Sequence, residues 1–442
     1  MAEPAGDALV SWGLQRAPGR ERRSEDLAAV ARELPLTRGL GRAYGDAALP
    51  PRDALEVAGS VLADRILDCD SQSGSLRAEA GLSLRHLNRV FLRRGWSIPV
   101  SPGTEHVTLG GMVAADVHGK NHHRAGTLGG HVTGLRLLTA GGEDVACSPT
   151  VEPELFWATV GGMGLTGHIL EVELPLAPIP SPWLVCESWR VPKLGELVRE
   201  LRRMGEQWPF TAAWVEGLGG RSRLGRGMLL CGRWAEPGEA PARPPRERRA
   251  IDVPFDAPRW LLNRLSVGAF NLATYHRHQP RHRRTLATPD SFFYPLDAVG
   301  SWNRLYGRRG FTQYQCVLPA EAGVEVVEDF VDHLRSAGGY PFLAVLKDLG
   351  EEGRGMLSFP RAGFTLALDF PVERGTPGLV AALNDFVIAC GGRIYLAKDA
   401  FTTREDLRAM DGERLEAWQQ VRSRWDPYRR LRSRLSERLL DP

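Results

Sequence analysis

The sequence predicts an α+β protein of two domains, and three observations carry that expectation. At 442 residues the chain is longer than one hydrophobic core ordinarily supports. Its first 178 residues are rich in glycine, with short apolar runs between turns. From 179 to 392 strand-like runs alternate with amphipathic helices. GFTQYQCVLP, YPFLAVLKDLG and GFTLALDFPV read as strands there, and AGVEVVEDFVDHLRSAG and PGLVAALNDFVIACGG as helices. From Glu405 onward the chain reads as basic helices, with Trp418, Trp425 and Leu431 turned inward and arginines outward.

Composition narrows the class. Apolar residues make up 43% and charged residues 25%, close to globular averages, and no run approaches the roughly 18 apolar residues of a membrane span. The opening stretch MAEPAGDALVSWGLQRAPGRERR lacks an apolar core, so a cytoplasmic location is expected. Six cysteines, Cys69, Cys147, Cys186, Cys231, Cys316 and Cys390, stand far apart without a C-x-x-C pair and are expected as reduced core residues. Net charge is only +3, but arginine greatly outnumbers lysine and clusters locally, so anion binding should be local too. Ala235–Ala250, rich in proline and arginine, reads as a mobile loop. The basic run Tyr275–Thr285 reads as a plain solvated loop or as a mobile segment that touches anionic lipid headgroups; no nucleic-acid-binding fold surrounds it, so nucleic acid is not an expected partner.

Three glycine clusters concentrate the chemistry in the first domain. Gly162, Gly164 and Gly167 in GGMGLTG fit a dinucleotide fingerprint in letters only. The residues after it, HILEVELPL, alternate like a half-buried strand, whereas the fingerprint needs a helix there. The earlier RGLGRAYGD misses the spacing by one residue. Such turns still let backbone approach a ligand closely. Between them DVHGKNHHRAG gathers His118, His122 and His123. A metal site is disfavoured, because no cysteine accompanies them and Asp116 stands only two residues before His118. A solvated basic loop and the wall of a cofactor pocket both remain open on spacing alone.

Taken together, GRAYGDAAL, PGTEHVTLGGMVAADVHGKNHHRAGTLGGHV, ELFWATVGGMGLTG, YPLDAVGSWNRLYG, GFTQYQCVLP, LDFPV and GGRIYLAKD resemble the vanillyl-alcohol-oxidase-type family of FAD oxidoreductases. Within it, the decaprenylphosphoryl-ribose 2′-oxidase group is the nearer likeness. The resemblance implies a two-domain flavoprotein: residues 5–178 as the first part of an FAD-binding domain, 179–392 as a substrate domain, and 393–442 completing the FAD domain. It implies that FAD is held by Gly39, Leu40, Gly41, Arg42, Ala43, Tyr44 and Gly45, and by Pro102, Gly103, Thr104, Val107, Thr108, Gly110 and Gly111. Ala114, Ala115, His118, Gly162, Gly164, Gly167, Ile169 and Tyr395 complete the implied cofactor set. Tyr44 stands where several relatives carry a flavin-linked histidine, which implies noncovalent FAD; attachment through His118 is the alternative.

Flavin oxidation of an alcohol needs a group that takes the hydroxyl proton as the C–H bond breaks. Lys398 is the candidate, with His118 and Tyr44 beside it as catalytic residues; a plain salt bridge from Lys398 to the adjoining Asp399 is the competing role. The resemblance places Lys120, Gln313, Gln315, Lys347 and Lys398 around the substrate. Two positions depart from better-known members: Ala367 replaces a cysteine and Ala344 an asparagine, both in the expected substrate pocket. The expected reaction oxidises the 2′-hydroxyl of a polyprenyl-phospho-pentose to a keto sugar. A separate short-chain reductase would complete an epimerisation serving cell-wall arabinan synthesis, with contact to the inner face of the membrane. An oxidase of a soluble sugar, alditol or aldonolactone, and a catalytically inactive scaffold, are the rival readings.

Overall fold

Alternating apolar residues build separate sheets from the two halves of the chain. The computed structural model describes residues 8–216, 225–246, 249–258, 260–277 and 281–441. In the first half, strands β1 (Ile66–Cys69), β2 (Ser75–Glu79), β3 (Gly134–Leu138), β4 (Asp144–Cys147) and β5 (His168–Pro175) form an antiparallel sheet in the order β4-β3-β5-β2-β1. Within β5, Leu170, Val172 and Leu174 are buried and Glu173 is exposed, the period of two that a one-sided sheet requires. GGMGLTG is therefore followed by a strand, as its alternation predicts. Helix α1 (Leu109–Ala114) begins where the Thr108 hydroxyl accepts the Gly111 N–H at 3.3 Å. A small parallel sheet joins Arg20–Arg23, Glu56–Gly59 and Thr37–Arg38.

The second half makes an eight-stranded sheet. Its strands are β6 (Leu184–Val191), β7 (Phe210–Val215), β8 (Gly227–Trp234), β9 (His282–Ala287), β10 (Phe311–Pro319), β11 (Ala344–Leu349), β12 (Gly363–Pro371) and β13 (Arg393–Ile394), ordered β9-β6-β8-β7-β11-β12-β10-β13. Helices α2 (Leu194–Gly205), α3 (Arg264–Arg277), α4 (Val326–Ser336) and α5 (Thr376–Ala389) are interleaved with these strands, and α6 (Arg404–Trp425) and α7 (Arg434–Leu439) close the chain. Leu197 and Leu201 of α2, Val327 and Phe330 of α4 and Leu383 and Val387 of α5 bury themselves against Tyr314, Cys316, Leu346, Leu366 and Leu368. Each such side chain contributes about 1.5–3 kcal/mol by leaving water. One sheet face is thereby committed to the core, and the other is free for polar residues.

Several expectations are corrected. The described part of the basic run Tyr275–Thr285 is the end of α3 and the edge strand β9, because its residues pair with Trp189–Leu184; residues 278–280 lie outside the described residues. Of the loop Ala235–Ala250, residues 247–248 lie outside them. The remainder is tied down: Glu236 and Glu239 cap a short 3-10 turn, Arg233 and Arg284 bond Glu239, and Trp183 Nε1 donates to the Arg243 carbonyl at 3.0 Å. Residues 5–7 of the expected first domain also lie outside. The arginines of the closing helices do not all face out: Arg422 is fully buried, bonding Asp441 at 2.7 Å and the Leu431 carbonyl at 2.7 Å. Cys147, Cys186, Cys231 and Cys316 are buried, but Cys69 is exposed on β1. No helix among the described residues is long and apolar enough to cross a membrane.

Candidate active site

The polar face of the large sheet is set by register. Gln313 and Gln315 of β10 oppose Asp369 and Ala367 of β12, and Lys347 and Val345 of β11 oppose Thr365 and Ala367. Residues two apart share a face, so Gln313, Gln315, Lys347, Thr365, Ala367 and Asp369 line one surface. Ala344 is one residue out of phase with Val345. It is 3% exposed among the core residues of the opposite face, so the expectation that it lines the pocket with Ala367 fails.

Into this surface the first half of the chain lowers DVHGKNHHRAG, and its three histidines part company. His118 is buried with Nε2 3.0 Å from the Gln315 carboxamide nitrogen and Nδ1 3.4 Å from Lys347 Nζ. His122 Nδ1 accepts from the Gly350 N–H at 3.1 Å, and His123 Nε2 lies 3.0 Å from the Trp208 carbonyl. Asp116 is consumed by the Ser358 hydroxyl and the Gly129 N–H. The run is thus neither a ligand cluster nor a solvated loop. With the amide donating to Nε2, the His118 proton sits on Nδ1 and faces Lys347, which must then be an amine to receive it. Burial supports that state: it pulls Lys347 down to about 7, helped by Lys120 and Lys398, and holds His118 well below the ordinary histidine range.

Lys398 joins this group, its charge felt by both Lys347 and His118. Its Nζ lies 3.6 Å above the centroid of the Tyr44 ring, a cation–π geometry. Burial brings it down to about 7, with Asp369 pulling the other way. Asp369 is itself fully buried and raised to about 7 by that burial, and it accepts from Gln313 Nε2 at 2.6 Å. The competing salt bridge to Asp399 is overturned: Asp399 bonds Arg438 at 2.8 Å instead. Lys120 donates to the Phe293 carbonyl at 3.1 Å and is lowered by burial to about 8. Only four of the chain's 56 lysines and arginines are lysines, Lys120, Lys193, Lys347 and Lys398. Three of the four therefore meet here. An arginine cannot release its proton in a protein and a lysine can, so lysine scarcity is a signal in the sequence that counting basic residues together conceals.

The glycine loops surround the same space. Gly161 N–H and Met163 N–H donate to the Val113 and Ala114 carbonyls at 3.0 and 2.9 Å, Tyr395 Oη to the Ala115 carbonyl at 2.8 Å, and Tyr44 N–H to the Ala397 carbonyl at 3.0 Å. Tyr395 also stacks on Phe359 with centroids 4.9 Å apart. A Cβ on Gly103 or Gly164 would meet nothing within 4 Å, and one on Gly111 only Thr108 Oγ1 at 3.1 Å. Open space therefore lies over each of these three glycines, which leaves their backbone accessible to a ligand such as FAD. Gly39, Gly41, Gly45, Gly110 and Gly162 differ, since Thr108, Arg38, the Asp399 carbonyl, Ala80 and the Ala158 carbonyl already occupy the place of a side chain. Gly110 and Gly111 N–H groups are also engaged, by the Ala80 carbonyl at 2.8 Å and Thr108; their part is shape, not donation. Gly167 and the buried Ile169 sit at the start of β5, Leu40 is exposed, and Arg42 lies 3.8 Å over the Trp12 ring. Arg42 also feels the charge of Asp297, whose carboxylate accepts from the Thr104 hydroxyl at 2.8 Å and the Glu105 N–H at 2.9 Å, so Pro102–Val107 borders that loop.

One contributor escapes sequence reasoning entirely. Arg438 of α7 bonds Asp46 through Nε and Nη2 at 2.8 and 2.7 Å while its Nη1 bonds Asp399 at 2.8 Å and the Thr402 carbonyl at 2.7 Å. Asp46 comes two residues after Tyr44 and Asp399 directly after Lys398, so this one guanidinium fastens together the loops that bring Lys398 over Tyr44.

Comparison with known proteins shows the family. Residues 23–148 match the FAD binding domain family. Over 420 residues the chain is 35% identical to the decaprenylphosphoryl-β-D-ribose oxidase of Mycolicibacterium smegmatis, covering 91% of this chain and 88% of that protein. It is 33% identical over 369 residues to an uncharacterized Streptomyces coelicolor protein in the mprA 5′ region, covering 81% of this chain and all of the other. A shorter match, 31% over 115 residues and 26% of each chain, reaches the L-gulonolactone oxidase of Scyliorhinus torazame. The chain is an FAD-dependent oxidoreductase and belongs to the decaprenylphosphoryl-ribose oxidase group of the vanillyl-alcohol-oxidase-type FAD-binding family.

Proposed function

We propose that the protein oxidises the 2′-hydroxyl of a polyprenyl-phospho-pentose to a keto sugar, the first half of an epimerisation that a separate short-chain reductase completes for arabinan precursor synthesis. The observation that carries this reading is the meeting of Lys120, Lys347 and Lys398 with His118 in one buried place. FAD, when bound, supplies the acceptor for the hydride leaving C2′. Lys398, poised near neutrality, takes the hydroxyl proton on Nζ, and Gln315 with His118 orients the sugar. Lys120 holds the phosphodiester as a point charge, and Lys347, as the amine that receives the His118 proton, donates its own N–H groups to it. In this reading 5–178 and 393–442 form the FAD domain and 179–392 the substrate domain. The loops before and after 393 then lie against the flavin, although β13 itself joins the large sheet.

Noncovalent FAD is part of the proposal. Tyr44 offers no ring nitrogen for a link, and both nitrogens of His118 already face Gln315 and Lys347. Mixed without oxygen, yellow protein is expected to bleach with polyprenyl-phospho-ribose and not with alditols or aldonolactones, and acid precipitation to leave all flavin in the supernatant. Bleaching only by the soluble compounds would overturn the lipid-linked substrate. A protein purified without flavin under any loading would favour the scaffold reading.

Arg438 is proposed as a positioning residue. Arg438→Lys keeps one charge but loses the fork that reaches both carboxylates. Flavin reduction should slow on the order of tenfold with FAD retained. The pH midpoint of reduction should also rise, because an unpaired Asp399 carboxylate steadies the Lys398 ammonium. A lowered melting temperature with rate and midpoint unmoved would leave Arg438 a purely structural group.

A further inference from the structure

Helix α3 is built the wrong way round for a water-facing element. Asn263 caps it, its carboxamide oxygen accepting the Leu265 and Ser266 N–H groups at 2.8 and 3.1 Å. Val267, Asn271 and Tyr275 form the buried side. The outer side, at Leu265, Ala269, Leu272 and His276, keeps helical spacing and is exposed, with Leu265 at 85% and Leu272 at 44%. Trp260 just before it is 72% exposed and Phe255 64%. Large apolar side chains gathered in this way mark a contact surface.

The charge around the helix says what kind of partner fits. Residues 257–289 contain six arginines and not one aspartate or glutamate. Arg281, just before strand β9, and Arg283 within it are exposed. Arg281 Nε donates to the Arg190 carbonyl, and the Arg190 guanidinium lies 5.3 Å over Tyr275 of α3, so this cationic strand runs beside the apolar helix. Glu196, Glu187 and Glu239 of neighbouring elements lie 3.9, 3.0 and 3.2 Å from Arg281, His282 and Arg284, so Arg283 is the cation that borders the apolar stripe, and a stripe with a cation at its edge complements an anionic lipid surface. The helix also touches the route to the active site. Phe270 stacks on Phe342 at 5.6 Å, Phe342 meets Tyr306 at 5.8 Å, Tyr306 stacks on Phe311 at 4.4 Å, and Phe311 meets Tyr44 at 5.3 Å.

We propose that α3 and the turn before it lie in the interface of an anionic bilayer, turning the aromatic cluster toward the membrane so that a substrate with a hydrocarbon tail reaches Lys398 without leaving the lipid. The last clause rests on the substrate reading above; the docking itself does not.

The test is flotation of the holoenzyme with phosphatidylcholine vesicles, with and without phosphatidylglycerol. Wild type should float with the anionic vesicles and be released by salt. Leu265→Glu combined with Leu272→Glu, both at exposed positions, should keep its FAD and partition about tenfold less or weaker still. Wild type that stays at the bottom, or a double variant that floats equally, overturns the proposal. So does a wild-type dimer that the double variant dissociates without any vesicle binding, which would make the face a contact between copies. Flotation without oxidation of the polyprenyl substrate would sink the substrate reading and leave the docking standing; oxidation without flotation would do the reverse.

Discussion

Lys398→Ala is expected to retain stoichiometric FAD and to bleach with substrate roughly a hundred- to ten-thousandfold more slowly than wild type, the loss typical of removing a general base. The reason is burial. A lysine in water stays protonated to about pH 10.4 and cannot accept a proton near neutrality. Lys398, enclosed and set over the Tyr44 ring, is brought to about 7. That value sets the sign of the pH dependence. Below about 7 the ammonium predominates and reduction should fall as pH falls; above it the amine predominates and the rate should level off. The variant should lose this rise as well as the rate. Were Lys398 only an ion-pair partner, removing it would cost at most about 1 kcal/mol of stability and leave reduction nearly intact. Its neighbours argue against that role, since Asp399 is given to Arg438. Bleaching at the wild-type rate would remove Lys398 from the mechanism and turn attention to His118, whose strongly lowered basicity makes it the weaker acceptor.

The legible and illegible parts of the sequence divide along physical lines. Strands such as Phe311–Pro319 and Gly363–Pro371 announce themselves because their local pattern and their burial agree. Period two alone also puts Gln313 and Gln315 on one face. The resemblance puts both Ala344 and Lys347 of β11 in the pocket, but three residues along a strand change face, and register turns Ala344 into the core. The basic run at 275–285 misleads for a related reason. Polarity marks it as loop, but an edge strand needs backbone pairing more than apolar side chains, and β6 supplies that pairing. Arg438 lies beyond reach because its partners, Asp46 and Asp399, are distant in sequence and only tertiary packing brings them within one guanidinium. Even the glycine clusters are legible as motifs rather than as atoms: which glycines face open space and which face protein depends on neighbours such as Asp399 and Ala80 that no motif contains.

That distinction among glycines yields the second large effect. Gly111→Val is expected to leave the fold intact and to lose nearly all FAD. Gly111 is exposed in the short helix α1, and a Cβ there meets only Thr108 Oγ1 at 3.1 Å, the hydroxyl that caps its own helix, which can give by a few tenths of an ångström. Valine is no worse than glycine in a helix, so the apo protein should melt within about 1 kcal/mol of apo wild type. The branched side chain instead fills the open space over Gly111, and FAD placed there, as proposed, is excluded sterically. Gly45→Ala provides the contrast, because its Cβ would overlap the Asp399 carbonyl; there both the fold of the Tyr44 loop and flavin binding should suffer. The measurement is flavin absorbance per protein after reconstitution, with thermal unfolding of both apo proteins alongside, since bound FAD by itself raises the wild-type melting temperature by mass action. A Gly111→Val protein that still holds one FAD per chain would refute the placement of the cofactor along α1. An apo variant melting far below apo wild type would show that Gly111 serves packing and not the ligand.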